Sequence, residues 1–233
     1  MSTGEETKMM QELTEAQFAK ETLERYAGCE VEQFRSNLLL TNFPRYVDYF
    51  SKTRNVPVIE GSAFKVAHDP KEDVSILDFK IGSPAAALVV DLCSFMPIKT
   101  SVLLGMCGGL RRRYVVGDYL VPVASIRGEG TSDFYFPSEV PALANFLMQK
   151  AVTEVLETQK ATYHIGITYT TNMRFWEYSS RARSQPSDFI SIANCSKKQS
   201  MPCVLNRHSV LSKQKWNFLI PPHCRALISM RAL

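Results

Sequence analysis

The chain has 233 residues, 45% of them hydrophobic and 21% charged, with a formal net charge of +4. That balance is ordinary for a soluble globular protein, and the length suits one domain with an appendage. No apolar run reaches the roughly 20 residues that cross a bilayer; the best, Ala85 to Phe95, is short and carries Asp91. The opening MSTGEETKMM is polar and partly acidic, unlike a secretory signal. Six cysteines without regular spacing are then expected as free thiols in a reducing cytoplasm, and no membrane partner is expected.

Taken in order, Glu5 to Tyr26 reads as a weakly amphipathic helix with Gly28 just past its end as a stop. Asn37 to Leu40 is a short apolar strand, and Pro44 to Thr53 a helix opening on proline. Pro57 to Ile59, Phe64 to Ala67 and Val74 to Phe79 read as strands. Gly82-Ser83-Pro84 starts an apolar helix that runs to Phe95. Thr100 to Leu104 is a continuous apolar strand of the kind buried on both faces. Tyr119 to Ala124 is a further strand, Pro141 to Glu157 a helix capped by Ser138, and Ile165 to Tyr169 the last clear strand. Alternation of this kind predicts an α/β domain with a mixed or parallel sheet.

The pattern breaks near Tyr178. Residues 179–233 hold nine Lys or Arg against one acid, Asp188, and ten serines; the first 178 residues hold 18 basic and 22 acidic side chains. A basic tail can contact nucleic acid. Here the charges are scattered singly and only Phe189, Trp216 and Phe218 accompany them, so neither a phosphate-tracking patch nor a stacking platform is present, and no nucleic-acid partner is expected. Cys203 and His208, with His223 and Cys224, lack the usual zinc-finger spacing. No metal or cofactor is expected.

Four segments carry site-like chemistry. Leu103-Leu104 leads into Gly105-Met106-Cys107-Gly108-Gly109, a glycine loop where backbone N–H groups can approach a ligand. The spacing matches neither the dinucleotide fingerprint nor the P-loop. Arg111 to Arg113 follow on a short connector. Gly82 and Ser83 open a helix whose free N–H groups suit an anion or a sugar hydroxyl, or serve as an ordinary cap. Ala124 to Glu139 packs Arg127, Glu129, Thr131, Asp133 and Tyr135 between glycines, dense polarity for a connector. Tyr169-Thr170-Thr171-Asn172 places an aromatic, hydroxyls and an amide at a strand end, able to stack on and hydrogen-bond a heterocycle.

Together LLTNFPRYVDYF (38–50 region), IGSPAAA (81–87), LGMCGG (104–109), GDYLVPVASIRGEGTSDFYFPSEVPAL (117–143) and YTTNMRFWE (169–177) resemble the purine nucleoside phosphorylase and nucleosidase superfamily, and within it the short bacterial AMP nucleosidases. The resemblance implies a three-layer α/β sandwich with a mixed central sheet, assembled as a homo-oligomer, usually a hexamer. It implies hydrolysis of the N-glycosidic bond of AMP to adenine and ribose 5-phosphate. That reaction passes through an oxocarbenium-like transition state and needs a proton donor for the leaving purine, a held water and fixed positive charge for the phosphate. By position, Arg45 falls where relatives using free phosphate place a phosphate-binding arginine. Met106 stands where those relatives have a serine and Leu103 where they have an arginine, which favours water as acceptor. Cys107, Gly108 and Gly109 are implied as the floor of the base and sugar site and Tyr169 as the aromatic against the purine. Arg127, Glu129 and Thr131 are implied for nucleotide recognition.

The family continues past Glu177 with a glutamate that binds ribose hydroxyls and an aspartate that serves the purine. Residues 179–233 match neither, so the catalytic acids are unassigned. A shifted reading frame, a divergent terminus that binds nucleotide without catalysis, and unrecognised substitute groups are the three readings of that tail. The expected organisation is an incomplete phosphorylase-like domain over 1–178 and a basic, serine-rich tail over 179–233.

Overall fold

The computed structural model describes residues 3–109, 111, 113–172, 189–192, 200–203 and 227–229, with side chains described from 14 to 172. The elements are α1 (Thr3–Ala27), β1 (Asn37–Thr41), α2 (Pro44–Arg54), β2 (Val58–Glu60), β3 (Lys65–Asp69), β4 (Val74–Asp78) and α3 (Ser83–Ser94). There follow β5 (Thr100–Gly108), β6 (Tyr119–Gly128), β7 (Ala142–Leu143), α4 (Phe146–Thr158), β8 (Tyr163–Thr171), β9 (Phe189–Ile192), β10 (Ser200–Cys203) and β11 (Leu227–Ser229). The composition break at Tyr178 lies outside the described residues.

One mixed sheet organises them in the order β2-β3-β4-β1-β5-β9-β8-β6-β7. β1 lies parallel to β4 on one side and β5 on the other, so NLLLT is buried along its whole length. Alternation then sends Leu39 to one face and Leu38 and Leu40 to the opposite one. On the first face Tyr46, Val47 and Phe50 of α2 and Met148, Val152, Val155 and Leu156 of α4 meet Val102, Leu104, Tyr119 and Val121. On the second, Ala19, Leu23 and Ala27 of α1 and Val89, Leu92 and Cys93 of α3 close over Leu38, Leu40, Val66 and Leu77. Each fully buried leucine contributes about 2 kcal/mol. The three-layer sandwich with a mixed sheet is the architecture expected from the sequence.

Two local expectations change. The glycine segment is not a loop: Gly105 to Gly108 are the last residues of β5. β10 runs antiparallel beside them, Ser200 opposite Gly108 and Cys203 opposite Gly105, and pairing keeps the segment extended. None of Gly105, Gly108 and Gly109 takes a positive φ. The helix expected from Pro141 starts at Phe146 instead, because Ala142 and Leu143 are drawn into β7 against Ser125 and Ala124. Its cap is Asn145 rather than Ser138, with the Asn145 side chain accepting the Met148 N–H at 3.2 Å. Cys29, Cys93 and Cys107 are free thiols, the latter two buried.

Candidate active site

Two halves of the sheet meet where Gly108 of β5 and Tyr169 of β8 both pair with Ser191 of β9. They therefore sit two strand spacings apart, about 10 Å, in one row. Alternation from Val102 and Leu104 puts Met106 and Gly108 on the α2 face; alternation from Tyr163 puts Tyr169 on the same face. Tyr169 leans across β6 so closely that a Cβ on Gly128 would lie 2.3 Å from its hydroxyl oxygen and 2.8 Å from the Thr170 carbonyl oxygen. Only glycine at 128 admits the ring.

Arg45 reaches this face from the first turn of α2, which Pro44 opens. Its guanidinium lies over the rings of Phe43 and Tyr46, 5.5 and 5.3 Å from their centroids, and its Nη2 meets the Met106 sulfur at 3.1 Å. A thioether is a weak acceptor. The exposed guanidinium thus keeps most of its donor capacity for a ligand.

Asp78 completes the same face, and nothing in the sequence marks it as a site residue. It closes β4 in register with Thr41, which is in register with Leu104, one step below Met106. Its side chain is 0% exposed. Oδ1 accepts the Lys80 N–H at 2.9 Å, while Oδ2 has no hydrogen-bond donor and faces the Lys80 ammonium at 3.6 Å. Lys80 itself holds φ +69, a left-handed conformation uncommon outside glycine. A buried carboxylate oxygen without a donor is costly unless a bound hydroxyl or water supplies one.

Other expected site residues lie elsewhere. Arg127 faces away from Tyr169: β6 alternation puts Ile126 beside Tyr169 and Arg127 beside Thr170, on the opposite face. Its side chain, 4% exposed, donates to the carbonyls of Ser132, Phe136 and Pro137 and to Asp133 Oδ1. Glu129 is buried and its Oε1 accepts the Ser132 N–H at 3.1 Å. Both organise their own loop, whose short helical turn begins at Thr131. Tyr135 ties the loop to α3 by donating to Asp91 Oδ2 at 2.5 Å. Thr170 Oγ1 and Ser125 Oγ share a hydrogen bond at 2.7 Å.

Gly82 and Ser83 open α3 without any side-chain cap, Gly82 at φ +97. Cys107 is fully buried on the α3 face, Gly109 is half-buried after β5, and Asn172 is exposed after β8. The structure thus joins Arg45, Gly108 and Tyr169 on one face with Met106, Asp78 and Lys80, and sets Arg127 apart from them. Among the described residues, the one cluster of three or more metal-ligating side chains is Glu24, Glu30 and Glu32, none of which belongs to this face. No helix among them is long and apolar enough to cross a membrane.

The profile of the phosphorylase superfamily matches residues 33–194. Uridine phosphorylase of Salmonella typhimurium is 34% identical over 107 residues, 43% of this chain and 42% of that protein. AMP nucleosidase of Escherichia coli is 24% identical over 211 residues, 71% of this chain and 44% of that protein. The chain therefore spans less than half the length of these curated relatives. A solved AMP nucleosidase from Bacteroides thetaiotaomicron superposes with a TM-score of 0.69 at 30% identity, covering 77% of this chain and 90% of that one. On the matched span and this shared architecture, the chain belongs to the phosphorylase superfamily of nucleoside phosphorylases and nucleosidases.

Proposed function

We propose that the α2 face holds a purine nucleotide and that the ancestral reaction is hydrolysis of the N-glycosidic bond of AMP, giving adenine and ribose 5-phosphate. The observation that carries this reading is the Arg45–Met106 contact at 3.1 Å. Where relatives using free phosphate offer a hydroxyl to the attacking oxyanion, this chain offers a thioether, while the cation remains. Tyr169 would stack on the base over the Gly108 floor, and Arg45 with Lys80 would supply fixed positive charge for the 5′-phosphate. Asp78, its Oδ2 lacking a donor, would hold and polarise the attacking water. Arg127, Glu129 and Thr131 act by setting the 124–139 loop, which Tyr135 ties to α3, the helix that Gly82 and Ser83 open.

Adenine release from AMP, followed by chromatography with and without inorganic phosphate, tests the acceptor. The expected result is equal adenine and ribose 5-phosphate at a rate that phosphate leaves unchanged. Phosphate-dependent turnover yielding a sugar 1-phosphate would overturn it. A second reading has its own observation: residues 179–233 contain no glutamate and only Asp188 as an acid. Under that reading the chain binds nucleotide without cleaving it, and AMP binding without adenine release is its signature. If the tail arose from a shifted frame, the DNA after codon 178 encodes the missing acidic motifs in another frame.

We further propose a homo-oligomer, a hexamer by family pattern. Phe146, 73% exposed, follows the β7 edge, where Leu143 and Leu147 are also exposed, an apolar concentration that suits an interface. Light scattering on the purified chain should give a multiple of the 26.3 kDa protomer mass; a monomer at micromolar concentration would contradict it.

A further inference from the structure

We infer, on the nucleotide reading proposed above, that Phe43 and Tyr46 are positioning residues. They seat the Arg45 guanidinium so that a 5′-phosphate meets a cation already ordered.

The guanidinium carbon lies 5.5 Å from the Phe43 ring centroid and 5.3 Å from that of Tyr46. The two centroids are 5.7 Å apart, with the ring planes at 76°. Three nearly equal distances make an almost equilateral triangle, so both rings lie to one side of the guanidinium and form a corner behind it. Each distance is within the roughly 6 Å over which a ring face attracts a cation. The rings offer no hydrogen-bond acceptor in the guanidinium plane, where the N–H donors point. Nη2 meets the Met106 sulfur at 3.1 Å, a weak acceptor that a phosphate oxygen would displace. Asp48, the nearest acid in sequence, is paired with Lys65 Nζ at 2.8 Å.

The walls of the corner are themselves held. Tyr46 is buried in the core beneath α2, and Phe43 is half-buried against the same cluster. The Tyr46 N–H donates to the Phe43 carbonyl at 3.0 Å, and the Phe43 N–H donates to Oγ1 of the buried Thr41 at 3.2 Å. Phe43 is also the N-cap of α2, yet its side chain satisfies no helix N–H. That position favours Ser, Thr, Asp or Asn. Core packing accounts for the buried part of the ring, and the face it turns to Arg45 is what an apolar cap adds here. A local preference set aside beside a candidate site is the pattern expected where a residue serves the ligand.

Arg45 stands exposed in the first turn of α2. An arginine so placed samples many rotamers, and ordering them is a cost of binding. The corner removes part of that cost before the ligand arrives, and does so for ligands that carry the phosphate.

Calorimetric titration with AMP and with adenosine, across Phe43→Leu, Arg45→Gln and the double variant, tests the role. Phe43→Leu should weaken AMP about fivefold, the size of one cation–π contact, and leave adenosine unchanged. Phe43→Tyr, which keeps the ring, should bind AMP as the parent does. In the Arg45→Gln background, Phe43→Leu should change AMP affinity by less than about twofold, because the group it seats is gone. Circular dichroism verifies folding, and Phe43→Met takes the place of Phe43→Leu if the latter does not fold. A parent that binds no AMP, or an Arg45→Gln protein that binds it as tightly as the parent, would overturn the nucleotide reading and this role together. With those results as expected, unchanged AMP binding in Phe43→Leu, equal losses for both ligands, or a loss that persists in full without Arg45 would overturn the positioning role alone.

Discussion

Gly61→Ala is expected to lower the unfolding free energy by about 3 kcal/mol or more, and to do so by detaching α1. A Cβ at 61 would lie 2.1 Å from the Tyr26 carbonyl oxygen, 2.3 Å from the Ala27 carbonyl carbon and 2.6 Å from the Gly28 nitrogen. All three are backbone, so no side-chain rotation relieves the clash. Gly28 shares the crossing: it turns the chain at φ +74, and its own Cβ would meet Gly61 Cα at 2.9 Å. The helix end cannot retreat either. The Tyr26 carbonyl accepts N–H groups from Ala63 and Phe64 at 3.2 and 2.9 Å, and Ala19, Leu23 and Ala27 are buried against the sheet. Gly130→Ala is the control, since nothing lies within 4 Å of its Cβ position and only its φ of +84 is strained; it should cost about 1 kcal/mol. Urea unfolding reads both, and limited trypsin digestion at Lys20 and Arg25 reports the helix. A Gly61→Ala protein within 0.5 kcal/mol of the parent, roughly the scatter of surface substitutions, would mean the crossing is looser than described.

Acid should destabilise the fold through His68. Its folded pKa of about 4 lies below the ordinary 6.5, chiefly because burial disfavours the charged ring and secondarily because Arg35 repels it. A depressed folded value means that the unfolded chain binds the proton more readily. The contribution is complete above pH 6.5, declines as pH falls, and is gone near pH 4. The loss amounts to up to about 3 kcal/mol over that window. His68→Gln removes the titration while keeping a polar group toward Ser75. Its stability should start lower at pH 7.5 and then fall less steeply to pH 4.5 than that of the parent. Parallel curves for the two proteins would assign the acid sensitivity to other groups.

Much of the scaffold was legible because apolar pattern and burial coincide. NLLLT in β1 and VSILD in β4 are buried at every position, and both read as strands. The glycine segment misled because its backbone is fixed by pairing with β10, a partner distant in sequence that local pattern cannot reveal. The start of α4 misled similarly, since PAL follows the helical stripe but is captured by β6. Of the residues singled out by the resemblance, the structure brings Arg45, Gly108 and Tyr169 to one face. Asp78 was not singled out, for it ends an apolar run and looks like a turn residue; its burial and the Oδ2 without a hydrogen-bond donor bring it into the proposal. Arg127 was expected at the nucleotide because the resemblance implies its loop for nucleotide recognition. Its direction depends on which residue of β8 it pairs with, and that register puts it beside Thr170 instead of Tyr169.

Calorimetric titration of the purified chain with AMP and with adenosine, repeated for Arg45→Gln, tests the nucleotide face most directly. The parent should bind one AMP per chain, and Arg45→Gln should weaken AMP by about tenfold or more, as loss of a charged phosphate contact does, while adenosine is unchanged. No detectable AMP binding, or equal losses for both ligands, would contradict the account.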